Sequence, residues 1–471
     1  MRTFRAICEH SDVIAHTGIL RSRCQLHFGN RGYSLFSRLC RNHLICALLM
    51  KVLWFSHLVP FPAVGRGVLQ RSYHLVRELA RFHEVHLLAF VQQRLIQDLL
   101  GDPTTGLAQS RDHLSTYCAD VTFLPIPAEA QRWGQTRLAA RSLVGRYPYT
   151  IRWLQSAHAC AVARQLNETI PFDVVHFDTI SLAPYRKLFT RSVLTLDHHN
   201  IESHMMLRRA QHEKHLLKRL YFRQEGVRLA HYERRVCPQF DLNITCSVLD
   251  SARLTQVAPE AVVTEVMNGV DTEYFRAIPG IERPNGLVFA GAMSRYANAS
   301  AMLLFAEKIW PLLKRARPEV TMDVVGGHPP AQLRALAARD RNFRVHGFVS
   351  DVRPHISAAA VYVCPIMDGG GTKLKLLDAL AMGKAIVAHP IACEGLALRD
   401  GAEVMLARDP DEFVKKTVEL LDSPDLRERL SRNARTLAET SYSYAVIGQT
   451  LRDAMEQCRV RVATCASSTR A

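Results

Sequence analysis

No stretch of this 471-residue chain runs for the roughly 18 apolar residues that a bilayer-spanning helix needs, which excludes a polytopic membrane protein. The nearest approach, LICALLMKVLWFSHLVPFPAVG over 44–65, is interrupted by Lys51, His57, Pro60 and Pro62 and reads as a buried parallel strand. The twelve cysteines include no CxxC pair, so their spacing offers neither a zinc site nor a disulfide framework. Most lie in apolar runs, as Cys364 does in AAVYVCPIM, where a reduced thiol acts as a small hydrophobe suited to a reducing cytosol. Glycine and proline are sparse, at 24 and 21 residues, and 48% of the chain is hydrophobic, which excludes disordered, collagen-like and coiled-coil architectures. The net charge of +16 comes without an aromatic-studded basic motif, so nucleic acid is not an expected partner. The excess concentrates in two places instead. Residues 1–49 carry seven arginines against Glu9 and Asp12, and 205–235 carries nine Lys/Arg against three Glu. Such segments fit an anionic membrane surface or anionic ligands.

The length implies two domains plus extensions. Residues 1–49 lack periodicity and read as a poorly ordered basic extension, with Met50 as the functional start; a targeting or membrane-association leader is the alternative. From Met50 short apolar runs alternate with amphipathic stretches: KVLWFS, EVHLLAF, DVTFLPI, FDVVHF, SVLTLDHHN, FDLNITCS and AVVTEVMNG. PNGLVFAGAM restarts the pattern after a break rich in Asn, Gly and Pro. A single helix over 299–316 follows, then VTMDVVGG, FRVHGFV, AVYVCPI, KAIVAHP and VMLAR. The expected fold is therefore α/β, with two doubly wound parallel sheets facing across a cleft. The first domain covers 50–268, a linker 269–283 and the second domain 284–440. A closing helix spans 441–458 and a tail 459–471.

The segment DGGGTKLKLLDALAMGKAIVAHPIACEGL at 368–396 is the most informative. Gly369, Gly370 and Gly371 follow a strand and lead into a helix expected to start near Thr372. Its N-terminus offers unpaired N–H groups and a positive dipole end to phosphate. Lys373 adds a cation. Asp378, seven residues after Gly371, lies on nearly the same helical face about 10 Å away, a spacing suited to a ribose diol. An ordinary strand-to-helix turn, with Asp378 paired to Lys375, fits the same residues. PFPAVGRG at 60–67 places Gly65, Arg66 and Gly67 at the cleft, and Arg295 lies just past a strand over 287–291. His198 and His199 follow VLTL at the sheet edge where open α/β folds bind ligands, with Asn200 and Glu202 beside them. A structural cluster capping the next helix is the competing reading. The basic segment 205–235 sets Leu217, Leu220, Tyr221 and Val227 on one side, either as a plain surface helix or as a dock for anionic lipid.

GGGTKLKLLDALAMGKAIVA…EGL strongly resembles the donor-site segment of the retaining glycosyltransferases of family 4, also called group 1 glycosyltransferases. NGVDTEYF at 268–275, FAGAMSRYAN at 289–298, DHHNIES at 197–203 and YSY at 442–444 are similar to further ordered segments of that family, so the resemblance spans roughly Met50 to Cys458. It implies a GT-B fold, a nucleotide-sugar donor on the C-terminal domain, a glycan or lipid-linked acceptor on the N-terminal one, transfer with retention, and no required metal or other cofactor. It places Gly65, Arg66, Gly67, Gly291, Gly369, Gly370, Gly371, Thr372, Asp378 and Glu394 around the donor, and His198, Asn200 and Glu202 on the acceptor side. The resemblance also implies that His199, Lys373 and Arg295 carry the chemistry. Cytoplasmic cell-envelope or exopolysaccharide synthesis, at the inner face of the cytoplasmic membrane, is the implied setting. The family's Glu-x7-Glu motif is changed: Gly370 stands at the first position and Asp378 at the second. A nucleotide-sugar epimerase and a non-catalytic nucleotide-sugar-binding protein remain alternatives.

Overall fold

The computed structural model describes residues 49–63, 67–129, 133–368 and 372–468. The expected extension 1–49, apart from Leu49, lies outside them, as do Gly65, Arg66 and Gly369, Gly370 and Gly371. Two wholly parallel sheets organise the rest. The first has seven strands, β1 (Lys51–Ser56), β2 (Glu84–Val91), β3 (Asp120–Pro125), β4 (Val174–Phe177), β5 (Val193–His198), β6 (Leu242–Thr245) and β7 (Val263–Glu265), in the order β3-β2-β1-β4-β5-β6-β7. The second has six, β8 (Arg283–Ala290), β9 (Thr321–Val325), β10 (Phe343–Gly347), β11 (Ala359–Cys364), β12 (Ala385–Ala388) and β13 (Met405–Leu406), in the order β10-β9-β8-β11-β12-β13. β1, β4 and β5 lie side by side near the centre of the first sheet. β8 and β11 hold the equivalent places in the second. These strands are buried along most of their length because helices cover both faces, and their sequences are accordingly near-continuous apolar runs. In both sheets the strand order reverses beside the first strand, and such switch points open a crevice at the carboxyl ends.

The helix expected over 299–316 begins earlier and carries a wider turn. Tyr296–Leu304 and Trp310–Ala316 flank a π-turn at Phe305–Ile309. Pro311 cannot donate to the preceding turn and its ring crowds the carbonyl there, and the wider turn sits where that room is needed. The closing helix runs Tyr444–Ser468, so most of the expected tail is helical. It packs back on the helix Gly67–Ala80: a methyl at Gly448 would lie 2.5 Å from Glu78 Cβ, and Arg452 stacks over Phe82 at 3.9 Å.

The basic segment is a helical hairpin, Glu202–His212 and Leu216–Val236, and the side that carries Leu217, Leu220 and Val227 is exposed. Leu217 is 82% exposed, and Leu220 and Val227 are exposed with it. The second helix instead buries Phe222, Glu225, Gly226, Leu229, Tyr232, Glu233 and Val236. Two glutamates can face inward because each is saturated. Glu225 accepts from the Tyr149 and Thr150 amides and from Thr150 Oγ1, and Glu233 accepts from the amide and hydroxyl of Ser203. Gly226 leaves space that a methyl would fill 2.8 Å from Leu207 Cγ. Among the described residues no helix is long and apolar enough to cross a membrane, and the eight described cysteines are free thiols.

Arg71 joins the pieces. Its guanidinium is buried, with Nε 2.9 Å from Asp197 Oδ2 and Nη2 3.2 Å from Asp197 Oδ1, while Nη1 donates to the Met267 carbonyl at 2.9 Å. One side chain thus ties the helix Gly67–Ala80 to the end of β5 and to the start of the interdomain segment. Removing one partner of a buried pair strands the other charge, at about 3–5 kcal/mol. Arg71→Ala is therefore expected to lower the urea-unfolding free energy by that amount, followed by circular dichroism; a loss below ~1 kcal/mol would mean the pair is solvated.

Candidate functional site

Three adjacent strands of the first sheet deliver polar groups to one edge. Ser56 ends β1 and His57 follows it, Asp178 follows β4, and β5 ends at His198 with His199 beyond. Asp178 is completely buried and accepts four hydrogen bonds: Ser56 Oγ at 2.7 Å, Ser72 Oγ at 2.9 Å, the His57 amide at 3.2 Å and His57 Nδ1 at 2.6 Å. Burial alone would raise its pKa, but His57 overrides that and holds the carboxyl well below its ordinary range. For His57 burial pulls downward, and the Asp178 charge and hydrogen bond prevail to raise it above 6.5. His199 behaves oppositely. Its two ring nitrogens are buried without a hydrogen-bond partner among the described residues, and burial lowers its pKa to about 4 despite the pull of Asp197 and Asp178. The rings of His57 and His199 are 5.6 Å apart.

The acceptor-side expectation changes for His198, whose Nε2 bonds Asn243 Oδ1 at 3.1 Å inside the core. That bond commits the His198 side chain to the core. Asn200 is half-buried beside His199. Glu202 opens the hairpin, and its carboxyl is pushed up to about 7 by burial, with Glu233 adding to the shift and His57 opposing it. One ring nitrogen each of His57 and His199 and an Asp178 oxygen lie within 4.8 Å of one another, a cluster of metal-ligating types. The four donors on Asp178 make it a hydrogen-bonded hub; an ion would have to displace them.

The second sheet supplies cations. The helix expected to begin near Thr372 starts at Leu374 and ends at Ala381, with Lys373 as its N-cap. Thr372 Oγ1 is buried without a partner among the described residues. Lys373 is buried; desolvation lowers its pKa and Glu394 offsets part of the effect, so the exposed Glu394 carboxylate faces this ammonium. Lys375, which sequence reasoning treated only as a partner for Asp378, reaches into the same place. Its Nζ donates to Asn298 Oδ1 and lies 5.5 Å from the Phe289 ring. Gly291 serves that lysine: a methyl there would sit 2.9 Å from Lys375 Cε. Arg295 is exposed at the start of the helix Tyr296–Leu304 and adds to the positive field that, after burial, lowers the Lys375 pKa. Asp378 lies one turn on, half-buried.

The two edges touch. A methyl at Gly67 would lie 2.5 Å from Leu374 Cδ1, and one at Gly395, where φ is +80°, 3.2 Å from Thr372 Oγ1 and 3.5 Å from Ser247 Cβ. Arg208 Nη2 reaches across from the hairpin to Asp368 Oδ1 at 2.7 Å. Tyr444 stacks on His74 at 4.0 Å, and its buried hydroxyl has no partner among the described residues. Sequence reading missed His57, Asp178, Lys375, Arg208 and Tyr444. Position marked the first two, since each stands just past a buried strand at its carboxyl end.

Residues 284–423 match the profile of the family described as "Glycosyl transferases group 1". The chain is 20% identical over 407 residues to an uncharacterized 44.6 kDa protein in the cps region of Klebsiella pneumoniae, covering 84% of this chain and 97% of that one. It is 30% identical over 216 residues to the phosphatidyl-myo-inositol mannosyltransferase of Mycobacterium tuberculosis, covering 43% of this chain and 56% of the enzyme. Among solved structures, sucrose-phosphate synthase from Thermosynechococcus elongatus superposes with a TM-score of 0.63 at 14% identity, over 86% of this chain and 98% of its own. Anabaena HepE in complex with UDP superposes with a TM-score of 0.58 at 15% identity, over 87% and 100%. The two Rossmann-like domains are those of the GT-B fold.

Burial pushes the Asp378 carboxyl from its ordinary 3.8 up to about 7, with Lys375 pulling the other way. The folded chain therefore keeps a proton that the unfolded chain releases, so stability falls as pH rises between those two values. Asp378→Asn stays neutral throughout. It is expected to flatten that part of the melting-temperature profile and to melt above the wild type at pH 8, by differential scanning fluorimetry. An unchanged profile would make Asp378 an ordinary solvated carboxylate.

Proposed function

We propose that this protein is a glycosyltransferase that moves a sugar from a nucleotide-sugar donor, held by the C-terminal domain, to a glycan or lipid-linked acceptor held by the N-terminal domain. The observation that carries this reading is the pair of desolvated ammoniums, Lys373 and Lys375, beside Arg295 and the unpartnered Thr372 hydroxyl. Burial works against both lysine charges, and a diphosphate placed among them reverses that penalty through charge-assisted bonds. The same groups then take up the negative charge that grows on the diphosphate as the sugar leaves, so rate comes from positioning and electrostatics. Asp378 is suited to a ribose hydroxyl, and Glu394 to the sugar. His199 faces the cleft from the other side. Retention, independence from metal ions, family 4 membership and a hexosyl donor are part of this proposal, resting on the resemblance of 368–396. The family profile and the mannosyltransferase relative support transferase chemistry, and the cps-region relative supports polysaccharide synthesis.

Lys373→Ala is expected to weaken nucleoside diphosphate binding by at least ~10-fold, from a charge-assisted bond of about 1.5–3 kcal/mol. His199→Ala should leave that affinity within about twofold while sugar transfer falls ~10²-fold or more. Isothermal titration beside a radiolabelled-sugar transfer assay measures both. Diphosphate binding lost in His199→Ala and kept in Lys373→Ala would reverse the two halves. Release of free nucleotide without an acceptor, with an altered sugar, would instead identify an epimerase, and binding with neither reaction a non-catalytic protein.

We also propose that the hairpin meets an anionic membrane surface, where a lipid-linked acceptor would lie. Leu216, Leu217 and Leu220 are exposed among Lys214, Lys218, Arg219 and Arg223, so apolar side chains and cations share one tip. The chain should co-sediment with phosphatidylglycerol vesicles, and the double change Lys218→Ala and Arg219→Ala should weaken that by ~30-fold, at about 1 kcal/mol per cation. Equal recovery with neutral vesicles would contradict this.

A further inference from the structure

His57 and His199 stand at the ends of two strands separated only by β4, yet their surroundings are opposite. Ionised Asp178 can only accept hydrogen bonds, so the 2.6 Å contact fixes a proton on His57 Nδ1 and leaves Nε2 as the ring's other polar atom. Ser56 Oγ and Ser72 Oγ saturate the same carboxylate and hold it still. His199 has no such anchor, and both its nitrogens are buried without a partner among the described residues. An orphaned buried imidazole costs free energy unless something bonds to it. One nitrogen of each ring lies within 4.8 Å of the other and of an Asp178 oxygen, and the ring centroids are 5.6 Å apart. One tetrahedral oxygen hydrogen-bonded to two nitrogens at about 2.8 Å each spans about 4.6 Å, a length of the same order as the separation of the rings.

We propose that His57 and His199 clasp a sugar hydroxyl, His57 donating through Nε2 and His199 accepting the hydroxyl proton, with Asp178 as the residue that positions His57. This rests on the glycosyltransferase reading above. The charges facing the pair agree with the division of roles: Asp178, Glu202 and Asp197 favour the imidazolium at His57, whereas burial keeps His199 neutral, with His57 and Arg71 adding to that and Asp197 and Asp178 opposing it. Two like groups pushed to different protonation states are a donor and an acceptor set side by side. The hydroxyl can come from the donor sugar or from the acceptor.

The test uses the full chain and the variant His57→Asn, whose amide still reaches Asp178 but lacks Nε2. Titration with UDP, GDP and their glucose, N-acetylglucosamine and mannose conjugates is run beside acceptor kinetics. Diphosphate affinity should change less than about twofold. If the hydroxyl belongs to the donor sugar, affinity for the conjugate falls at least ~10-fold; if it belongs to the acceptor, conjugate affinity holds and the acceptor KM rises at least ~10-fold. Either result supports the clasp, and no change in both overturns it. Hydroxyl binding should weaken as pH rises through the elevated His57 pKa, and Asp178→Asn should move that falling limb to lower pH. A limb that stays in place reduces Asp178 to a structural role and overturns its assignment. Should no conjugate bind at all, the glycosyltransferase reading fails, and imidazole 15N shifts of the wild-type chain at pH 6.5 decide the pair separately. His57 protonated with His199 neutral supports it; equal protonation, or a stoichiometric divalent ion found by metal analysis, overturns it.

Discussion

A guanidinium and a carboxylate buried together constrain everything around the cleft. Arg71 and Asp197 have left water, which is tolerable only because the fork of Arg71 is filled by two carboxylate oxygens and a backbone carbonyl. That requirement fixes geometry in three directions. Asp197 is two residues before His199, so the pair sets the end of β5 and the ring beyond it. Arg71 belongs to the helix that starts at Gly67, where a methyl would meet Leu374 of the other domain. The Met267 carbonyl belongs to the chain leaving the first sheet, so the route to the second domain starts from the same guanidinium.

The two edges that this junction aligns are electrostatically unlike. On the N-terminal side a buried carboxylate is spent on holding one imidazole while a second stays neutral. On the C-terminal side lysines 373 and 375 carry charges that burial disfavours, with Arg295 adding its own. A ligand with a diphosphate at one end and hydroxyls at the other matches that division. Gly291 and Gly395 matter because they are small: one clears the path of Lys375, the other lets the strand-end turn approach Thr372 and Ser247.

Much of this was legible in the residues. Strands buried on both faces leave apolar runs that no surface element imitates, so the two sheets and their order of elements could be read directly. The places of Lys373, Arg295 and His199 in the fold, each just past a strand or at a helix start, could be read from the pattern of elements. The interior of the hairpin was hidden, because Glu225 and Glu233 occupy it by virtue of partners 30 to 76 residues distant. His198 and His199 look equivalent in sequence, and the bond to Asn243 across the sheet separates them. Asp178 and Lys375 were hidden for a related reason: their meaning lies in Ser72, His57, Asn298 and Gly291, which are far away in the chain.

The central claim is that the cationic edge of the second sheet takes the diphosphate and the histidine edge of the first takes sugar hydroxyls. A crystal structure of the full chain with a bound nucleoside diphosphate tests it most directly. The account predicts phosphate oxygens within hydrogen-bond reach of Thr372 Oγ1 and Lys373 Nζ, with the ribose toward Asp378. A diphosphate seated instead against His57 and His199, with Lys373 and Lys375 untouched, would contradict it.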